Sequence, residues 1–197
     1  MADDGRYLSV ETFKAWTRDK TLTDDEMISD AILAAESVID IDLGRRFEVA
    51  AGAATERVYA AESGDTTLFI HDCTEITAVA EDGTTVATAD WQAAPLNQLS
   101  SWGETVPYTH IDRMVGSWHA ERGKATIGVT AKWGWAAIPP SIVVLCSIVA
   151  QTMAQHRDMR FGLAAITADG LGVSARDARI VRDTQARYSR KQLVYAI

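Results

Sequence analysis

Cysteine is nearly absent from these 197 residues: Cys73 and Cys146 are the only two. A disulfide framework is therefore excluded, and a reducing compartment is the expected setting. Cys146 falls in the most apolar stretch of the chain, where a thiol behaves as a small hydrophobe. Long hydrophobic runs are missing as well. The longest, from about Ala136 to Ala150, contains Pro139 and Pro140. It falls short of the roughly 20 residues that span a bilayer. The opening MADDGRYLSV lacks the basic-then-apolar pattern of a secretory signal. A soluble protein with no membrane partner is expected.

Catalytic and cofactor motifs are missing too. There is no GxGxxG, GxxxxGK[ST], HExxH, GxSxG or EF-hand loop. His71-Asp72-Cys73 offers two metal-type ligands, but a zinc site needs about four, and no second Cys/His pair stands at a usable spacing. His110, His119 and His156 have no assignable nucleophile or carboxylate partner. No catalytic residue, metal or cofactor is expected. A strand ending in a turn is the plain reading of residues 71–73. A small hydrolase using carboxylates near His71 remains the enzymatic alternative.

Basic charge is scarce until the end of the chain. The net charge is −8, which argues against the whole surface being a nucleic-acid footprint. Residues 1–48 carry 6 Lys/Arg against 12 Asp/Glu, residues 49–156 carry 5 against 11, and residues 157–197 carry 8 against 4. An acidic body with a basic tail points to an acidic partner for the tail, a neighbouring copy included.

The pieces that are present have clear local codes. Ser9 can cap a short helix from Val10 to about Thr17. Thr23-Asp24-Asp25-Glu26 reads as a capping box in which Thr23 and Glu26 satisfy each other. Ile28, Ile32, Ala35, Ile39 and Leu43 then form one helical stripe, with Asp30, Glu36 and Asp40 on the expected solvent side. Gly44 is the stop, followed by Arg45 and Arg46 at the negative helix end.

Between Ala50 and Trp133 the pattern becomes β-like. Strands are expected at Glu56–Ala60, Thr67–His71, Ile76–Ala80, Thr84–Thr88, Trp91–Ala93 and Ala125–Trp133, with Asp82-Gly83 as a tight hairpin turn. From Asn97 to Gly123 a long ordered loop is expected, with one strand near Tyr108–Met114. Trp133 and Trp135 flank Gly134 and would anchor the turn into a proline-started helix, Ser141–Arg157, that packs on Thr23–Leu43. Residues 161–173 read as irregular, and Ser174 opens a last helix to about Arg190. On its wheel Arg176, Arg179, Arg187 and Arg190 face one way, and Ala178, Val181 and Tyr188 the other. The arginines fit a solvated face, an acidic protein surface or a phosphate backbone, the last without sequence information.

The fold class is thus α+β: a small helical bundle, an inserted antiparallel β sandwich or barrel-like region, and a C-terminal helix plus tail. The segments are 1–49 (core helices), 50–135 (β insertion), 136–160 (core helix) and 161–197 (loop, basic helix, tail).

The order of Leu8-Ser9-Val10-Glu11-Thr12-Phe13-Lys14-Ala15-Trp16, an acid-capped helix ending Leu43-Gly44-Arg45-Arg46-Phe47, a β insertion, and Trp133-Gly134-Trp135-Ala136-Ala137-Ile138-Pro139 resembles the head-to-tail connector (adaptor) proteins of tailed bacteriophages with long non-contractile tails. The resemblance implies a virion structural protein of the neck, assembled in the bacterial host cytoplasm. It implies a ring of copies, usually a dodecamer, beneath the portal protein at the capsid vertex. Such a ring extends the channel through which genomic DNA passes without sequence-specific binding, and it docks the stopper and tail. The C-terminal segment would reach the portal, which assigns partner binding to Arg176, Arg179, Arg187, Tyr188, Arg190, Lys191, Leu193, Tyr195 and Ile197. Contacts between copies fall to Asp30, Glu36 and Asp40. A stopper or tail terminator is the nearest alternative, although those proteins are more purely β and lack the opening helix pair.

Overall fold

The computed structural model describes residues 7–17, 23–100, 103–119, 121, 124–155 and 175–190, with Ala175 and Arg176 described as backbone only. It is an α+β protein with two compact units. A helical unit comprises Met1–Glu48 and Ile138–Lys191, and a β unit is built on Val49–Ala137. Residues 161–173, the expected cap Ser174, and the tail residues Lys191, Leu193, Tyr195 and Ile197 lie outside the described residues.

In the helical unit, α1 (Val10–Thr17) starts where expected, with Ser9 Oγ accepting the Thr12 N–H at 3.2 Å. The next helix, α2 (Asp25–Leu43), buries Ile28, Ile32, Ala35, Ile39 and Leu43, the whole expected stripe. Its cap differs from the expected Thr23–Glu26 box. Asp24 is the N-cap, and its carboxylate accepts from Glu26 N at 3.1 Å and Met27 N at 3.2 Å. A full negative charge at the positive helix end is the stronger of the two adjacent acceptors. Gly44 closes α2 at φ 62°, the left-handed stop that a side chain would strain.

The third helix, α3 (Pro140–Gln155), packs along α2 and contributes Ile142, Leu145, Cys146, Val149 and Ala150 to the core. Pro139 O accepts the Ile142 N–H at 2.9 Å, so the prolines occupy the first turn, where no donor is missed. The fourth, α4 (Ala175–Tyr188), turns Ala178, Val181, Thr184 and Tyr188 inward.

The β unit is one antiparallel sheet in the order β1-β6-β2-β5-β4, with β3 paired to β2. Its strands are β1 (Thr55–Tyr59), β2 (Thr67–Glu81), β3 (Thr84–Thr85), β4 (Trp91–Ala94), β5 (Tyr108–Arg113) and β6 (Ile127–Trp133). Two expected strands, Thr67–His71 and Ile76–Ala80, are the two ends of β2, so His71-Asp72-Cys73 is mid-strand rather than a turn. Its first part pairs with β5 and its second with β6, and register shifts between them bend the strand and reset which side chains face inward. Thus Leu68 and Ile70 precede the shift and Val79 follows it, all in one core with Tyr59, Ile111, Trp118 and Val129. The expected strand Thr84–Thr88 stops at Thr85, and a single 3-10 turn covers Thr88–Asp90. Asp82 (φ 49°) and Gly83 (φ 76°) form the two-residue hairpin between Glu81 and Thr84.

Candidate interaction surfaces

The acidic face of α2 is not uniform. Asp30 is exposed. Glu36 and Asp40, expected on the same solvent side, are half-buried and hold the segment before α1. Glu36 accepts the Tyr7 backbone N–H at 2.8 Å, and Asp40 accepts the Tyr7 hydroxyl proton. That hydroxyl oxygen in turn accepts the Phe47 N–H at 2.8 Å. One buried phenol thus joins three stretches of chain, and its ring meets Phe47 edge-on at 5.9 Å. Burial, reinforced by Asp40, pushes the Tyr7 pKa far above the ordinary tyrosine range. Burial also raises the Asp40 carboxyl, against the hydrogen bond from Tyr7, which lowers it. These two carboxylates therefore have an internal role, and only Asp30 of the three presents itself outward.

The partner-binding set on α4 divides in the same way. Tyr188 is 2% exposed, stacks edge-on against Phe47 at 5.6 Å and shares a 3.0 Å hydrogen bond with Ser141 Oγ. It belongs to the core of the helical unit, not to a partner surface. The wheel already carried the signal, since it set Tyr188 opposite the arginines. The backbone beyond it is fixed as well: Arg190 N–H donates to Leu43 O at 2.9 Å, and Arg45 Nη1 donates to Tyr188 O at 3.4 Å. Arg179 is 84% exposed beside Asp183, and Arg187 is exposed. Arg190 is half-buried, and Arg176 lies at the start of α4.

In the β unit the entry and exit of the chain meet. Ala50 N–H donates to Trp135 O at 2.8 Å, and Val49 bridges Trp135. Gly134, at φ 117°, donates its N–H to Asp72 O at 2.7 Å, while Trp135 Nε1 donates to the Asp72 carboxylate at 3.0 Å. Both tryptophans anchor the junction, since Trp133 Nε1 donates to Thr55 O at 2.9 Å. His71 Nδ1 sits 2.9 Å from the Tyr59 hydroxyl, in an aromatic group with Trp133, over which Arg57 lies at 4.5 Å. Asp72, beside His71, is 6% exposed and accepts the Trp135 indole N–H. Among the described residues no three His, Cys, Asp or Glu side chains gather as a metal site. No described helix is long and apolar enough to cross a membrane.

A scan against protein-family models and a search of curated proteins both found no match. Solved structures do share the fold. A chain from the neck of an empty GTA (gene transfer agent) particle, computed with C6 symmetry, aligns with a TM-score of 0.58 at 13% identity, over 95% of this chain and 92% of that one. A chain from the neck of a native GTA particle, computed with C12 symmetry, aligns with a TM-score of 0.51 at 15% identity, over 92% of this chain and 90% of that one. At such identities it is the fold that is held in common, and both units take part in it.

Proposed function

We propose that the chain is a structural protein of the neck of a tailed-phage-like particle, an adaptor that forms a ring beneath the portal, extends the DNA channel and docks the stopper and tail. The observation that carries this reading is the fold shared with neck chains over nearly the whole length of both partners. The symmetries of those particles favour a ring, and the helix pair and β insertion agree with the adaptor resemblance. The reading has the protein act by presenting surfaces rather than by catalysis. Its acidic balance suits a channel wall, because each fixed cation there would add a salt-sensitive phosphate contact.

Portal contact is assigned to Arg187 and the segment after Arg190. Negative-stain microscopy of the purified protein, alone and with the portal protein of the same particle, tests the reading. Rings stacked on portals are the expected result, and a protein that neither forms rings nor binds portal overturns it. A chain ending at Arg190 refines the test. It keeps Tyr188 and the Arg190–Leu43 bond, so it should fold normally while losing portal binding.

A further inference from the structure

The outward face of α2 is unusual for a helix whose other side is core. Ile41 is 80% exposed and Leu33 is 38% exposed. At 100° per residue, Leu33, Ser37 and Ile41 share one arc with Glu26 and Asp30, opposite Ile28, Ile32, Ala35 and Ile39. The face therefore begins with the acids Glu26 and Asp30 and continues through Leu33, Ser37 and Ile41 without a further charge. A lone exposed leucine needs no explanation, but an aligned apolar stripe bordered by carboxylates marks a contact surface.

Charge decides what covers it. The helix carries six carboxylates and no lysine or arginine. Two copies of this face laid on each other give Glu26 and Asp30 no cation in either direction. Parallel pairing sets acid on acid, and antiparallel pairing sets acid on Ile41. Elsewhere in the helical unit, Lys14 is paired with Asp25, Arg46 lies near Asp40 and Glu48, and Arg45 is turned to Tyr188 and Phe47. The outward face of α4 is different. Arg179 projects from its first half, with Asp183 beside it at 3.6 Å, and Arg182 and the small Ala186 project from its second, all exposed and with a net positive balance.

We infer that the α2 outward face of one copy receives the α4 outward face of the next, with the helices parallel. Arg179 and Arg182 then meet Glu26 and Asp30, and Ala186 lets the backbones approach beside Leu33 and Ser37. The arginine stems add apolar cover to the stripe. The two faces are different surfaces of the same chain, so the contact is heterologous and propagates around a ring instead of stopping at a dimer. This rests on the ring reading above and names the surfaces that would build it.

The test uses the full chain carrying Ser37→Cys and Ala186→Cys together, treated with a short bis-maleimide. The native Cys73 and Cys146 are both buried and do not compete. A ladder of dimers, trimers and higher species is expected, absent from either single variant. A lone dimer band overturns the heterologous contact. Rings, alone or on portal, that give no ladder overturn the α2–α4 contact while leaving the ring reading intact. A protein that stays monomeric with and without portal overturns both. Independently, Arg182→Glu should weaken self-association about tenfold, and adding Asp30→Arg to it should restore most of the loss. Failure of that restoration argues against the pairing, even if each chain folds.

Discussion

The two units of this chain are held by different means. The β unit relies on its sheet ladder and one apolar core, reinforced at the base by Asp72, Gly134 and Trp135. The helical unit has a core as well, but its ends are joined by a few polar bonds between distant parts of the chain: Tyr7 to Glu36, Asp40 and Phe47, Ser141 to Tyr188, and Arg190 to Leu43. It also leaves Ile41 and Leu33 outside. The β unit exposes apolar side chains too, Leu96, Leu99, Met114 and Val115 among them, but these lie off its strands or at their ends, whereas Leu33 and Ile41 share one helix face.

The largest expected effects come from equal truncations in each unit. Trp118 is 1% exposed and Tyr188 2% exposed. Replacing either by alanine should cost about 3–5 kcal/mol, the range for large buried aromatics. Chemical denaturation measures it. A loss under about 1 kcal/mol for Tyr188→Ala would return Tyr188 to the surface set and dissolve the contrast between core and contact residues on α4. Conservative Tyr188→Phe loses the Ser141 hydrogen bond and should cost about 0.5–1.5 kcal/mol.

Next in size is Tyr7→Phe. It strips the acceptor from Phe47 N–H and the donor from Asp40, at an expected cost of about 1–3 kcal/mol. The sign of its pH dependence follows from the raised pKa. Folding favours the protonated phenol, so this contribution is fully present below the ordinary tyrosine value of 10.0 and is lost as the pH rises above it. Wild-type stability, followed between pH 8 and pH 11, should fall more steeply at the alkaline end than that of the variant. Parallel curves would remove the Tyr7 joint from the account.

Glycine substitutions compare the units again, at about 1–2 kcal/mol each. Gly44→Ala and Gly83→Ala place a side chain at φ 62° and φ 76°, and an added Cβ meets nothing closer than 3.8 Å at Gly44 and nothing within 4 Å at Gly83. Both should cost only the left-handed backbone penalty. A larger loss at Gly44, read by denaturation, would show that the α2 end and the Arg190 backbone behind it are coupled more tightly than the distances indicate.

What was legible in the sequence follows the range of the forces involved. The α2 stripe, the Gly44 stop, the Asp82-Gly83 hairpin and the proline start of α3 are written within a few residues and fold as read. The continuity of β2 was hidden because His71-Asp72-Cys73 looks like punctuation. What keeps Asp72 in the sheet is Trp135, 63 positions away. Glu36 and Asp40 looked like solvent carboxylates because their partner, Tyr7, precedes them by 29 and 33 positions. The outward stripe was readable in principle. Leu33 and Ile41 fall off the core positions of the wheel, among acids that read as a solvated face.

The smallest expected effect on the fold carries the most weight for function. Arg179 pairs with Asp183 at 3.6 Å on the same exposed helix face, and such i,i+4 pairs contribute roughly 0.3–0.5 kcal/mol at most. Arg179→Ala should therefore leave the thermal midpoint almost unchanged, since neither side chain loses a buried environment. If the helical unit reserves this face for a neighbouring copy, the same variant should lower ring yield several-fold at low salt, with the deficit shrinking as salt is raised and the wild-type ion pair is screened. Unchanged assembly at unchanged stability would mean that the arginine face is solvated. The case for a contact surface on the helical unit would then rest on Leu33 and Ile41 alone.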